Sequence, residues 1–373
     1  MINESRLINS FITMAQIPSI SGREGKMRDY LRAQLQERGL EVNEDEAGLA
    51  LQGEAGNLWV KIPASVEAET ILFAAHMDTV GPGEGIQAII EDGVIKSKGN
   101  TILGSDDKAA IAALLEALDV IREKRLPHGP LELLFTVGEE QGLQGAKQFD
   151  FTSLKATMAY VLDAGGDPGV IVIQSPCQNE IEYKVYGKPA HAGINPEKGI
   201  NAIQAAALAL SRMPCGRIDE ETTCNLGIIQ GGTARNIVAD YCQIKGEARS
   251  LNRSRLDQIT QTLKNTFMEE VQRQGARAEV EVKFLYPEIR LDPEDRVVKT
   301  AVKAIESTGL QPRLESTGGG SDASIIHGNG IPCVNLGIGM SNVHSCDEYI
   351  KISHLIKDTK IILAIINEII KEK

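Results

Sequence analysis

Roughly the first 175 residues alternate short apolar runs with helical patterns, and this alternation narrows the fold more than any other feature. "TILFAAHMDTV", "LELLFTV" and "ATMAYVLDAGG" read as strands, and "KAAIAALLEALDVIREK" reads as a helix between the first two. Strand and helix in this order build an α/β layer with a mostly parallel sheet flanked by helices. In such sheets the polar groups that do chemistry gather beyond the carboxyl ends of the strands. His76, Asp78, Glu139, Glu140 and Asp163 all lie at such ends.

A chain of 373 residues is long for one hydrophobic core, so two domains are expected. The pattern changes near Asn179. "EIEYKVYG", "TTCNLGIIQGG", "DYCQIKGEARS" and "AEVEVKFLY" read as strands, and "GINAIQAAALALSRM" and "SRLDQITQTLKNTFMEEVQRQG" as helices. Strand-helix-strand-strand-helix-strand is a compact α+β unit of the ferredoxin-like kind. It reads as an insertion, because "PEDRVVKTAVKAIESTG" resumes the earlier alternation. The expected division is therefore 1–178 with 286–373, and 179–285 inserted between them. No internal repeat or low-complexity linker is visible.

The net charge of −12 and the absence of a basic run argue against a nucleic-acid partner. No uninterrupted apolar run reaches membrane-spanning length, and the opening "MINESRLINSFITMAQIPS" lacks the pattern of a secretory signal. The C-terminal "HLIKDTKIILAIINEIIKEK" has charges at helical spacing, as in an amphipathic helix packed on a core. Six scattered cysteines without CxxC spacing fit reduced thiols, and the expected location is the cytoplasm.

Against that frame of strands, several donors group together. His76 and Asp78 are two apart and share a face if the strand stays extended. "LGSDDKAA" puts Asp106 and Asp107 on a loop entering a helix, "GEE" places Glu139 and Glu140 side by side, and "NVHSCDE" adds His344. Imidazole and carboxylate without thiolate suit a catalytic zinc, cobalt or manganese ion better than a structural zinc. A second divalent ion would neutralise further carboxylates, and two ions about 4 Å apart clamp hydrolytic transition states. Each residue also has a plain structural role open to it. His76 can be a satisfied core histidine, Asp106 or Asp107 a helix cap, Asp163 a turn residue, and His344 a surface side chain. The adjacent glutamates can face solvent at the first turn of a helix. All of those roles would have to coincide at strand ends, and together they are the weaker explanation.

"HMDTV", "LGSDDKAAIA", "TVGEEQGLQGA", "LDAGG", "GKPAHAG" and "HSCDEYI" occur in that order across nearly the whole chain. In this it resembles the dinuclear-zinc metallopeptidases, the family of peptidase T, carboxypeptidase G and succinyl-diaminopimelate desuccinylase. "NTILGSDDKAAIA" is most similar to the peptidase T branch, although "VGPGEG" after "HMDT" and the N-terminal stretch depart from peptidase T itself. The resemblance implies that His76 and Asp163 bind one metal, Glu140 and His344 the other, and that Asp106 bridges them. It implies that Asp78 orients His76 and that Glu139 is the general base. It also implies that His191 of "GKPAHAG" assists from the inserted lid domain, which mediates homodimers in the family. Asn236 of "GGTARNIVAD" and Arg249 of "KGEARS" match positions that hold a substrate carboxylate. The glycines of "STGGGSDAS", Gly319 among them, would let backbone approach a ligand.

The function this implies is hydrolysis of an amide bond in short peptides by a tripeptidase-type aminopeptidase using two divalent ions, zinc first. An amidohydrolase, deacylase or carboxypeptidase of the same family is the alternative. A non-catalytic peptide-binding homologue is the alternative from another class.

Overall fold

The computed structural model of the protein describes residues 2–371. These form two compact units: Ser175–Ile289 with Gly318–Gly320, and the remaining described residues. The sequence divides the chain at 179 and 285, inside the strands Cys177–Tyr186 and Arg277–Tyr286. These two strands pair along their length, from Arg277 opposite Tyr186 to Tyr286 opposite Gln178, so both belong to the second unit to their ends. Gly318–Gly320, inside the expected catalytic stretch 286–373, also belong to the second unit. A Cβ on Gly320 would sit 2.3 Å from the Tyr286 ring, so the close approach needs glycine.

In the first unit, Leu131–Thr136, Ile71–His76, Met158–Ala164 and Cys333–Gly337 lie side by side in that order, all parallel. Antiparallel Leu58–Ile62 and Asn43–Glu44 extend one edge, and Val170–Ser175 with its neighbours Ile289–Arg290 and Arg313–Ser316 extends the other. "ILFAAH" and "LELLFT" are buried at every position, as a sheet covered on both faces requires. Glu132 is tolerated there because its carboxylate accepts the amides of Lys155 and Ala156. The helix Ser105–Lys124 packs on this sheet and on the helices Glu4–Ala15 and Ile352–Lys371. A second, small sheet pairs Met340–Ser341, Tyr349–Lys351, Val94–Ser97 and Ala88–Glu91, and so fixes both ends of the loop that carries His344.

In the second unit, Thr222–Gly231, Tyr241–Ser250, Cys177–Tyr186 and Arg277–Tyr286 form an antiparallel sheet in that order, with the short strand Gly216–Arg217 at its edge. The helices Ala202–Leu210 and Arg253–Arg273 pack on it around a core that includes Ile181, Tyr183, Ile244, Leu263 and Phe267. This is the ferredoxin-like order read from the sequence. Among the described residues no helix is long and apolar enough to cross a membrane.

Candidate metal centre

Three neighbouring parallel strands end where the donors begin. Ile71–His76 delivers His76, Met158–Ala164 delivers Asp163, and Leu131–Thr136 runs into the loop with Glu139 and Glu140. Asp106 enters from the start of Ser105–Lys124, where its backbone and that of Asp107 are not yet helical and the peptide bond between them is cis. His344 comes from the loop of the small sheet, with a φ of 63°.

The two oxygens of Asp106 face different histidines. Oδ1 lies 3.0 Å from Nε2 of His76 and Oδ2 lies 3.2 Å from Nε2 of His344. His76 Nε2 is also 3.7 Å from Asp163 Oδ1, and His344 Nε2 is 2.8 Å from Glu140 Oε1. The donors thus fall into two sets that share Asp106. Nδ1 of His76 lies 2.9 Å from the Asp78 carbonyl oxygen and 3.4 Å from its carboxylate, so it donates on that side and turns Nε2 toward the acids.

Asp78 also organises the glutamate pair. Its Oδ1 accepts the Glu139 amide at 3.0 Å, and its Oδ2 accepts the Glu140 amide at 3.2 Å and the Ser21 hydroxyl at 2.7 Å. The two adjacent acids are therefore aimed by their backbone. Glu140 reaches His344, whereas the Glu139 carboxylate makes no hydrogen bond among the described residues.

Burial and mutual repulsion dominate the electrostatics. Desolvation pushes Glu140 up to about 7, Asp163 up to about 6, and Glu139 well above its ordinary range, with neighbouring carboxylates adding to each. The two histidines move the other way relative to burial. His344 rises to about 9 through its bond to Asp106, and His76 rises despite burial because Asp106, Asp163 and Asp78 surround it. So many acids around two imidazoles lack positive charge.

The donor set fits divalent cations. Tetrahedral coordination at usual zinc bond lengths holds neighbouring donors about 3.3 Å apart. The separations of 3.0, 3.7, 3.2 and 2.8 Å bracket that value. Donor atoms of His76, Asp106 and Glu140 lie within 4.8 Å of one another, as do those of His76, Asp107 and Asp163.

Three residues at this centre had no such role in the sequence reading. Asp107, grouped with the donors in the sequence but given no role there beyond a helix cap, is fully buried; its Oδ2 accepts the His76 amide at 3.2 Å, and its Oδ1 has no partner among the described residues. Asp322 follows the glycines of "STGGGSDAS". It is 3% exposed, its Oδ2 accepts the Thr136 hydroxyl, and its Oδ1 is likewise unpartnered. Burial pushes it to about 7, with repulsion from Asp163 and Asp78 adding to the shift. Glu348 of "HSCDE" holds the Asp106 loop through hydrogen bonds to its backbone. The acidic letters were in view, but nothing local marks them as buried.

His191, Asn236, Arg249 and Gly319 belong to the second unit. His191 is exposed, and its Nδ1 accepts the Gly193 amide at 3.2 Å. A backbone amide can only donate, so the ring proton sits on Nε2, free to be given to a ligand. Asn236 is exposed and adjacent, its carbonyl accepting the Ala192 amide. Arg249 donates to both oxygens of Glu247 at 2.9 and 3.2 Å and to the Gly318 carbonyl at 3.1 Å.

The sequence pattern of Peptidase family M20/M25/M40 matches residues 72–368. A Bacillus subtilis protein described as the uncharacterized protein YqjE is 42% identical over the full length of both chains. The crystal structure of aminopeptidase PepT from Bacillus cereus is 43% identical, with a TM-score of 0.93 over 99% of both chains. That of a tripeptidase from Staphylococcus aureus is 40% identical, with a TM-score of 0.96 over 100% of both chains.

Proposed function

This chain belongs to Peptidase family M20/M25/M40, and from that premise we propose that it is a metallopeptidase releasing the N-terminal residue of short peptides, tripeptides above all. The observation that carries this is Asp106, with one oxygen toward each of two histidine–carboxylate sets and an unpaired Glu139 beside them. The similarity to an aminopeptidase and a tripeptidase at 43% and 40% identity supports the substrate class.

In this proposal His76 and Asp163 would hold one divalent ion and Glu140 and His344 the other, with Asp106 offering an oxygen to each; zinc would suit the set first, with cobalt or manganese as substitutes. Such ions, when bound, polarise the scissile carbonyl and acidify water. Asp78 keeps His76 in the tautomer that presents Nε2. Glu139 takes the proton of the attacking water and returns it to the leaving amine. Arg249, steadied by Glu247 and Gly318, has more N–H donors than those bonds use and offers them with Asn236 to the substrate carboxylate, where Gly319 gives backbone room. The deciding experiment is turnover of di-, tri- and tetrapeptides, N-acetylated peptides and N-acyl amino acids. Release of the first residue from unblocked tripeptides is expected. Faster cleavage of the acyl amino acids would replace this reading with a deacylase.

His191 supplies its Nε2 proton to the oxyanion of the tetrahedral intermediate. Losing one such donor costs about 100- to 1,000-fold in turnover. His191→Ala is therefore expected to lower kcat by that factor with metal content intact; a normal kcat would remove the second unit from the chemistry.

A homodimer through the second unit is the proposed assembly. Gly216–Arg217 pairs only with Thr223 and Cys224, and Thr222 bonds to Ile218 and Asp219, so residues 225–231 are an open edge among the described residues. Ile228 and Ile229 are exposed along it, and Ile203, near Gly232, is exposed on the adjoining helix. Open apolar edges invite pairing with a second chain. Sedimentation of the wild-type protein as a monomer would rule this out. The unpaired cysteines support a reducing, cytoplasmic location, which cell fractionation would check.

A further inference from the structure

We infer that Glu348 is the positioning residue that locks Asp106 and His344 into one assembly, and so sets the affinity of the ion between Glu140 and His344. The inference rests on the metal reading of the site.

Glu348 is 2% exposed. Its Oε2 accepts the amides of Leu103 at 2.8 Å and Gly104 at 2.9 Å. Its Oε1 accepts the amide and the hydroxyl of Ser105, both at 2.6 Å, and the amide of Asp106 at 3.3 Å. One carboxylate thus gathers four consecutive amides across a sequence separation of 242 residues.

These residues are buried, but their own local geometry does little to fix their shape. Gly104, in the N-cap position, has a φ of 76° and no side chain, and Asp106 and Asp107 depart from helical geometry. The amides at a helix start need acceptors, and a carboxylate is the best matched because the helix dipole also favours negative charge there. Without Glu348 those amides would seek water, and the Asp106 backbone would lose its reference.

Glu348 is equally tied to His344. Its amide bonds back to the Ser345 carbonyl at 3.3 Å. The Ser345 hydroxyl donates to Asn342 O at 2.7 Å and accepts the Asp347 amide at 3.2 Å. Asn342 closes the loop onto the Asp347 carbonyl at 3.3 Å. His344 sits inside this knot in a left-handed conformation that a non-glycine residue adopts only under constraint. The residue whose side chain anchors the Asp106 loop therefore also ends the His344 loop, through its backbone amide. The 3.2 Å approach of His344 Nε2 to Asp106 Oδ2 is the product of that double anchoring. His76 and Asp163, by contrast, are placed by their own strands and need no such strut.

A residue acting behind a ligand typically changes metal affinity by about 10- to 100-fold when altered. Glu348→Gln replaces one accepting oxygen by an NH2 that faces amide N–H groups, so the gathering of amides fails. The test is zinc titration of metal-free protein by calorimetry, resolving the two ions. Wild type is expected to bind both, and Glu348→Gln to bind the ion between Glu140 and His344 about 10- to 100-fold more weakly, with a smaller loss at the other ion, which shares Asp106. If Glu348→Gln does not fold, Glu348→Asp carries the test: the charge beside the buried Lys108 stays, the reach shortens, and the same step weakens. Wild-type affinity at both ions, or equal weakening of both, overturns the inference and leaves Glu348 a stabilising helix cap. Wild-type protein that takes up no ion overturns the metal reading itself.

Discussion

Chelated protein is expected to hydrolyse no peptide, and zinc, cobalt or manganese to restore activity. His76 and His344 are the cations nearest to the buried acids, and both are held above their ordinary range by those acids. An imidazole must be neutral to ligate. With His344 raised to about 9, the metal-free centre at pH 7 carries protons that metal uptake has to displace. The sign follows: metal uptake releases protons at pH 7, and affinity weakens as pH falls. Both are measurable in weakly buffered solution with a pH indicator. Neither Glu139 nor His191 can polarise the carbonyl alone, so activity should return only with the ions. Full turnover by protein shown by elemental analysis to be metal-free would end the dinuclear proposal.

The layering of the first unit was legible because its signal is local. "ILFAAH" and "LELLFT" are continuous apolar runs, the mark of strands covered on both faces, and their ends announce the donors. The ferredoxin-like order was legible for the same reason. What stayed hidden depends on distant partners. Glu348 reads as one more acid on a polar loop until the amides of 103–106 are seen to converge on it. Asp322 is buried by helix and sheet packing that no neighbouring letter records. Gly318–Gly320 join the second unit, where Gly320 lies against the Tyr286 ring and Gly318 accepts Arg249, contacts across more than thirty positions. His191 illustrates the converse. Its motif stands out, while the Gly193 amide that fixes its tautomer emerges only from the folded loop.

Glu139→Gln is expected to keep both metals and lose about 100- to 10,000-fold in turnover, the usual range for general-base assistance. The two neighbouring glutamates share one backbone anchor, since both amides bond to Asp78, yet their side chains part. Glu140 closes on His344 at 2.8 Å, in the manner of a ligand. Glu139 has no hydrogen-bond partner among the described residues; it lies beside Asp163, Glu140 and Asp322, and its carboxyl is held well above the ordinary range by burial first and those charges next. A carboxylate so destabilised is a stronger base than one in water, and cations placed among the same acids would draw it back toward ionisation. An amide has the shape of the acid and no proton affinity to match, so the loss should appear in kcat with the fold preserved. Glu140→Gln should differ in kind by weakening metal binding as well. The check is metal content alongside single-turnover rates for both variants. If Glu139→Gln lost an ion and kept its turnover per remaining metal, the roles of the pair would have to be exchanged.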